Sequence, residues 1–183
     1  ELSCFHKNKK IRVFANEFIH KKEIQSTNIM IQLLPKAISK NNSDFINSII
    51  SLVNESNHID NLKLIWNTLL DSTFNCFALL KNKDLNGIWL NLNAPYPHDD
   101  FIQVLLTSFT KLINSFESNK MEIPRIDELY FFLFDDILYN QVIYYRITPK
   151  LIDLLKMIIH NKPPLIKDSI PRIKKIQEDM KNI

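Results

Sequence analysis

The sequence predicts an all-α protein, and two observations carry the prediction. The chain of 183 residues contains a single glycine, whereas the tight turns of antiparallel sheets commonly need glycine at positive φ. Apolar residues recur at spacings of three and four through most of the chain, which is the period of an amphipathic helix. We therefore expect about seven to eight helices, arranged as a right-handed superhelical bundle in one domain or two tightly joined halves.

Residues 1–82 form the predicted N-terminal half, which contains four helical segments. The first covers 9–22. The second follows Thr27, and Pro35 is expected to kink or end it. Ser43 is the predicted N-cap of the third, and "HIDNLKLIWNTLLDSTFNCFALLKN" predicts one long helix or two short ones.

Residues 83–98 form the predicted linker between the halves. They contain the only glycine and two prolines, which interrupt the helical pattern. The linker also contains Trp89 and Tyr96, which we expect to pin it against the helices. An alternative is that the two rings stack on a peptide proline or on a base.

Residues 99–183 form the predicted C-terminal half, again with four helices. The helix of 99–117 has the most regular apolar spacing, and that of 125–140 is apolar nearly all round, which is typical of a central helix. Pro149 begins the third helix, and Ser169 is the predicted N-cap of the last. The residues of the last helix expected to face inward are Ile173, Ile176 and Met180.

Composition excludes several functional classes. One glycine is too few for a glycine-rich phosphate loop, and no apolar run approaches the roughly 20 residues that cross a bilayer. Cys4 and Cys76 form no disulfide framework and fit a reducing compartment. Neither cysteine completes half of a recognisable zinc pattern, Cys4 with His6 or Cys76 with His98. We expect no cofactor, no metal, no membrane association and no small-molecule substrate. Because the first residue is Glu1, we expect the chain to be part of a longer protein.

The net charge of +3 is unevenly distributed. Residues 1–40 carry 8 basic and 3 acidic groups, residues 41–140 carry 6 and 13, and residues 141–183 carry 9 and 4. An acidic middle between basic ends can hold the parts together or present two faces to different partners. The basic stretch of 6–14 is interpreted as the solvated face of a helix, with phosphate contact as the alternative.

Two adjacent aspartates, Asp135 and Asp136, interrupt the apolar stretch "LYFFLFDDILYNQ". They lie toward the C-terminal end of the predicted helix, where the helix dipole disfavours negative charge. An unpaired buried carboxylate is costly, so each needs a donor: either an internal one, such as Arg146 or Lys150, or a hydroxyl or amide of a ligand. Neighbouring helical residues point about 100° apart, so shared metal ligation and acid–base catalysis are not expected. The chain is predicted not to be an enzyme.

The segment "ELYFFLFDDILYNQ" resembles the central helix of CTD-interacting domains, the all-helical modules that bind the C-terminal tail of RNA polymerase II. The matching positions are Leu129, Tyr130, Asp135, Ile137 and Asn140. Together with the "YYR" that follows, the segment is most similar to the version in SURP-containing splicing factors. The resemblance extends over 99–181 and lacks the family's first helix, so the C-terminal half is expected to be a degenerate version of that domain.

This resemblance implies a site on the helix of 125–140. In the family, the aspartate that aligns with Asp135 accepts a hydrogen bond from the tyrosine of the heptad repeat, and later basic residues contact phosphoserines. The basic side is assigned by charge and proximity alone. The candidate peptide-binding residues are Tyr130, Asp135, Asp136, Asn140, Arg146 and Lys150.

The function implied by the resemblance is a non-catalytic interaction module of a nuclear pre-mRNA-processing or splicing factor. Its partner would be an extended peptide, phosphorylated or not, or another processing factor, with association to a ribonucleoprotein. The main alternative is a HEAT-like α-solenoid scaffold that binds a folded protein through a broad face, in which the aspartates only help helices to pair. A third alternative is a vesicle-trafficking helical domain, for which the basic residues of 6–22 would face a membrane.

Overall fold

The computed structural model describes residues 10, 25–55, 59–78, 99–140 and 149–181, and all regular structure within them is helical. The all-α prediction is confirmed, while the superhelical arrangement stays a prediction. Seven α-helices lie in these residues. Their bounds are Gln25–Ser39 (α1), Ser43–Glu55 (α2), Ile59–Ala78 (α3), Asp99–Ser118 (α4), Ile126–Phe131 (α5), Pro149–Asn161 (α6) and Ile166–Lys181 (α7).

Two short elements complete the C-terminal part. A π-helical segment, Phe132–Leu138, continues α5 without a break, and a 3-10 turn, Pro163–Leu165, leads into α7. Apart from Lys10, the predicted helix of 9–22 lies outside the described residues, as does the predicted linker of 83–98.

The described helices form two compact units, with α1 to α4 in the first and α5 to α7 in the second. The sequence-based division assigned the helix of 99–117 to the C-terminal half, whereas α4 packs against α2 and α3. The physical reason lies in the core of the first unit. The ring of Trp66 on α3 is fully buried and meets Phe109 and Phe116 of α4 edge-on, each at a centroid distance of 5.7 Å.

The first unit reverses the chain without glycine. After α1, Asn41 adopts the left-handed conformation at φ 51°, which asparagine tolerates better than most residues. The N–H of Asn42 then donates to the carbonyl of Ala37 at 2.8 Å, and that of Asn41 to Ile38 at 3.0 Å, a Schellman motif. Lys120 closes α4 in the same way at φ 53°.

At two helix ends in the first unit the structure decides against a sequence-based expectation: of the two alternatives for Pro35 it excludes the helix end, and it moves the cap of α2 by one residue. α1 does not end at Pro35 but continues to Ser39, and the fully buried Ala37 and Ile38 explain why the last turn is retained. The side chain that caps α2 is that of Asn42, whose Oδ1 accepts a hydrogen bond from the N–H of Phe45 at 3.2 Å. The predicted cap, Ser43, is the first residue of the helix itself.

The last helix differs most from its prediction. α7 begins three residues before Ser169, so Ser169 is not its cap but a buried residue inside it. Ile176 faces inward as predicted, whereas Ile173 is 44% exposed. The buried face of α7 contains the polar side chain of Ser169, which has hydrogen-bond partners in the core. The prediction that Ile173 faces inward is therefore wrong, because the buried face of α7 is the one that contains Ser169.

Candidate functional site

The candidate site lies on the helical stretch formed by α5 and the π-helical segment. This stretch is central to the second unit, as the sequence predicted: of its apolar side chains from Ile126 to Leu138, only that of Phe131 is exposed. α6 packs against both α5 and the π-helical segment. The polar groups that reach the surface here are therefore carried by a helical stretch whose apolar side chains are almost all buried.

The π-helical segment contains both aspartates. Its geometry is evident at its end, where the N–H of Tyr139 donates to the carbonyl of Phe134, five residues earlier. π-helical turns are uncommon and frequently occur at functional sites. The sequence carried no signal for this segment, because the apolar pattern of 132–138 fits an ordinary α-helix equally well.

Asp135 has an internal donor. Its carboxylate, with a side chain 49% exposed, pairs with the guanidinium of Arg172 on α7, whose side chain is 28% exposed. The internal donors predicted from the sequence were Arg146 and Lys150, whereas the donor to Asp135 in the structure is Arg172. Arg146 lies outside the described residues, and Lys150 is an exposed residue in the first turn of α6.

Arg172 also contacts an exposed aromatic ring. Its guanidinium lies 4.7 Å from the ring centroid of Phe131, a distance at which a cation is attracted to the face of a ring. Its Nε is buried and has no hydrogen-bond partner among the described residues. Phe131, Asp135 and Arg172 together form a small surface with an aromatic face, an anion and a cation, which we call the Asp135 cluster.

Tyr130 supports the Asp135 cluster from within the core. Its side chain is fully buried, and its hydroxyl lies 2.7 Å from Oγ of Ser169 and 3.3 Å from the carbonyl oxygen of Leu165. Burial raises the pKa of the Tyr130 phenol, and the hydrogen bond with Ser169 opposes that shift. Tyr130 therefore fixes α7 against α5, which positions Arg172.

Asn140 is also buried, and its role is local. Its side-chain N–H donates to the backbone carbonyl of Asp136 at 2.6 Å, which holds the end of the π-helical segment. Asp136 itself is a half-buried residue. Of the residues proposed from the sequence, Asp135 is thus at a surface beside Arg172, while Tyr130 and Asn140 are in the core.

A further contact ties α7 to Tyr139, which follows the π-helical segment. The hydroxyl of Tyr139 donates to Oδ2 of Asp179 at 2.9 Å, and the ammonium of Lys175 lies 6.0 Å from the Tyr139 ring centroid. Polar side chains of α7 therefore meet the helical stretch of 126–140 at three levels: Ser169 contacts Tyr130, Arg172 contacts Asp135, and Asp179 contacts Tyr139.

The ion pairs at the start of α5 are structural. Arg125 binds Glu128 with two hydrogen bonds of 2.9 and 2.7 Å, and Lys162 lies 2.9 Å from Asp127. These hydrogen bonds lower the pKa of each carboxyl. All four side chains are between 32% and 50% exposed, so each pair contributes little to stability.

Two residues of the Asp135 cluster were missed by the sequence analysis, Phe131 and Arg172. A signal for Arg172 exists: it lies three residues after Ser169 and four before Ile176, both of which are buried. A basic residue spaced three or four positions from buried residues of a helix indicates an internal acidic partner. This signal can be used only when the buried face of the helix is already known.

No cluster of three or more potential metal ligands occurs within the described ranges. None of the helices described is long and apolar enough to cross a membrane.

Comparison of the chain with protein-family models, with characterised proteins and with solved structures finds no match. The class that the structure itself defines is an all-α protein with a polar and aromatic cluster in which α5, a π-helical segment and α7 each contribute one residue.

Proposed function

We propose that the chain is a non-catalytic peptide-binding module of a nuclear pre-mRNA-processing factor. Its ligand would be an extended peptide similar to the RNA polymerase II tail, or a segment of another processing factor. The observation that carries the proposal is the placement of Asp135. It is half-exposed on a π-helical segment of a helix whose other described faces are almost entirely buried.

The Asp135 cluster offers complementary groups to such a peptide. A carboxylate accepts a hydrogen bond from a tyrosine hydroxyl, and a guanidinium binds phosphate through parallel charge-assisted hydrogen bonds. The exposed ring of Phe131 provides an apolar surface on which a proline can pack. Peptide recognition by helical grooves commonly combines apolar anchors with a few polar groups that set the register.

The ion pair between Asp135 and Arg172 does not prevent binding. Both side chains are partly exposed, and a solvent-exposed ion pair contributes about 0–1 kcal/mol. A peptide that brings its own hydroxyl and phosphate can therefore replace the internal partners at small cost.

The test is fluorescence anisotropy with labelled two-repeat Tyr-Ser-Pro-Thr-Ser-Pro-Ser peptides, with and without phosphoserine. We expect micromolar binding of one form, weakened tenfold or more by Asp135→Asn, or about 1.4 kcal/mol. Arg172→Gln should weaken the phosphorylated peptide more than the unmodified one.

Asp153→Asn is the matched control for this titration. Asp153 is an exposed aspartate of the same unit that pairs with Lys156 at 3.2 Å, so its substitution removes an equivalent charge elsewhere. The proposal is refuted if neither peptide binds, or if Asp135→Asn and Asp153→Asn have the same effect on affinity.

A second candidate function is supported by the packing of the first unit. α1 packs against α2, α1 also packs against α3, and both α2 and α3 pack against α4. Two helical pairs stacked in this way are typical of α-solenoid scaffolds, which bind folded partners through a broad face. Chemical cross-linking of the chain in nuclear extract distinguishes the two functions, because a partner retained equally by wild type and Asp135→Asn favours the scaffold.

A further inference from the structure

The last helix exposes a row of apolar side chains. Among the described residues, five large apolar side chains are exposed, and three of them lie on α7. Ile166 and Ile170 are each 57% exposed and Ile173 is 44% exposed. This row is separate from the buried face of the same helix, which contains Ser169 and Ile176.

The spacing of the row is that of a coiled-coil seam. Steps of four and then three residues from Ile166 to Ile173 match alternating d and a positions of a heptad. Gln177 takes the next a position in the sequence. Packing against a second helix is the usual use of such spacing.

A row of lysines runs beside this seam. Lys167, Lys174 and Lys181 each follow a d position, so they occupy successive e positions, about 10 Å apart along the helix. All three are exposed, and none forms an ion pair with another residue in the described part of the chain. In coiled coils the charges at e and g positions select the partner helix.

We propose that this face of α7, the isoleucine seam with its lysine row, binds an acidic amphipathic helix of a partner protein. The partner would place apolar side chains against Ile166, Ile170 and Ile173, and glutamates or aspartates against the lysines. The other edge of the seam is closed, because the g positions are Ser169 and Ile176, which are buried. Charge selection therefore acts through the lysine edge alone.

A second copy of the chain is disfavoured as the occupant by the same charges. Antiparallel pairing of two α7 helices would bring the two lysine rows together, and like charges across an interface are repulsive. Parallel pairing would match each lysine with a g position of the other copy, and Ser169 and Ile176 are buried there.

The test uses the whole chain and a labelled synthetic peptide as the probe. The peptide is a helix with leucine at its a and d positions and glutamate at its e and g positions. A second peptide carries lysine in place of every glutamate. Fluorescence anisotropy at low salt is expected to show that wild type binds the acidic peptide and not the basic one, and that affinity falls as salt is raised.

Two multiple variants test the two parts of the surface. Replacing Ile166, Ile170 and Ile173 by serine is expected to weaken binding of the acidic peptide tenfold or more. Replacing Lys167, Lys174 and Lys181 by glutamate is expected to abolish that binding and to create binding of the basic peptide. The exchange of preference is a result that simple unfolding of the variant cannot produce.

Matched controls come from the first unit. Leu64 is a single exposed leucine, 49% exposed, and Lys63 is its exposed neighbour. Leu64→Ser and Lys63→Glu should leave binding of the acidic peptide unchanged. Asp135→Asn should also leave binding of the acidic peptide unchanged. The experiment therefore tests the isoleucine seam of α7 independently of the proposed peptide site at the Asp135 cluster.

Three results would overturn the proposal. The first is no binding of the acidic peptide by wild type, or binding that both multiple variants retain. The second is sedimentation equilibrium that shows a wild-type dimer lost in the isoleucine variant, without peptide binding. The third is co-sedimentation with phosphatidylserine-containing vesicles, lost in the same variant, again without peptide binding.

Discussion

The hydroxyl of Tyr130 gives a direct measure of how firmly α7 is held against α5. Tyr130→Phe removes this hydroxyl and keeps the buried ring. We expect the free energy of unfolding to fall by about 1 kcal/mol.

The magnitude follows from the hydrogen bonds around Ser169. The hydroxyl of Tyr130 has one proton, and its contact with Oγ of Ser169 at 2.7 Å is much better than the 3.3 Å contact with the carbonyl of Leu165. One neutral hydrogen bond is therefore lost. Ser169 still donates to Leu165 at 3.2 Å, so no buried donor is orphaned and the larger penalty of about 3 kcal/mol does not apply.

The assay is urea unfolding followed by circular dichroism, with the slope m required to stay constant. Because the described helices form two units, hydrogen exchange of amides in α5 and α7 assigns the loss to the second unit. Ser169→Ala and the double variant complete a mutant cycle, in which we expect a coupling of about 1 kcal/mol between Tyr130 and Ser169.

Alkaline pH provides an independent readout of the same residue. Burial raises the pKa of Tyr130, so its protonated form contributes stability that is complete below about pH 10. This stability is lost as pH rises through the folded-state pKa, whereas phenylalanine does not titrate. The difference in stability between wild type and Tyr130→Phe should therefore shrink above about pH 10.

Tyr139→Phe is the matched control, because the Tyr139 hydroxyl bonds to Asp179 at a half-buried position. It should cost less than Tyr130→Phe. Equal losses for the two variants, or a Tyr130→Phe protein as stable as wild type with the same m, would refute the reasoning.

Two further predictions concern the core and the ion pairs. Trp66→Ala should lower the free energy of unfolding by about 3–5 kcal/mol, because the fully buried ring of Trp66 packs against Phe109 and Phe116. The same urea titration measures this loss. A loss below about 1 kcal/mol would contradict the packing. The hydrogen bond from Lys162 lowers the pKa of Asp127. The stability that the ionised Asp127 carboxylate contributes is therefore present above about pH 3.9 and is lost as pH falls through the lowered pKa. The stability of Asp127→Asn should lack this dependence on acid pH. Identical profiles of stability against pH for the variant and wild type would contradict the prediction.

The sequence by itself determined that the described segments of this chain are helical. Its apolar period placed α4 and the central helical stretch correctly, and all five apolar residues predicted for the inner face of α4 are buried. The period works because a helix needs only contacts between neighbouring turns, which the local sequence encodes. The five are Ile102, Leu106, Phe109, Ile113 and Phe116.

Only the tertiary structure decided how those helices are partnered. The donor to Asp135 is Arg172, 37 positions away, and not a residue close in sequence. The inward position of Ser169 depends on the buried hydroxyl of Tyr130, so the face of α7 that carries Ile173 is left exposed. A helical period constrains residues three or four apart, whereas these choices depend on which distant side chain offers the matching charge, hydrogen bond or shape.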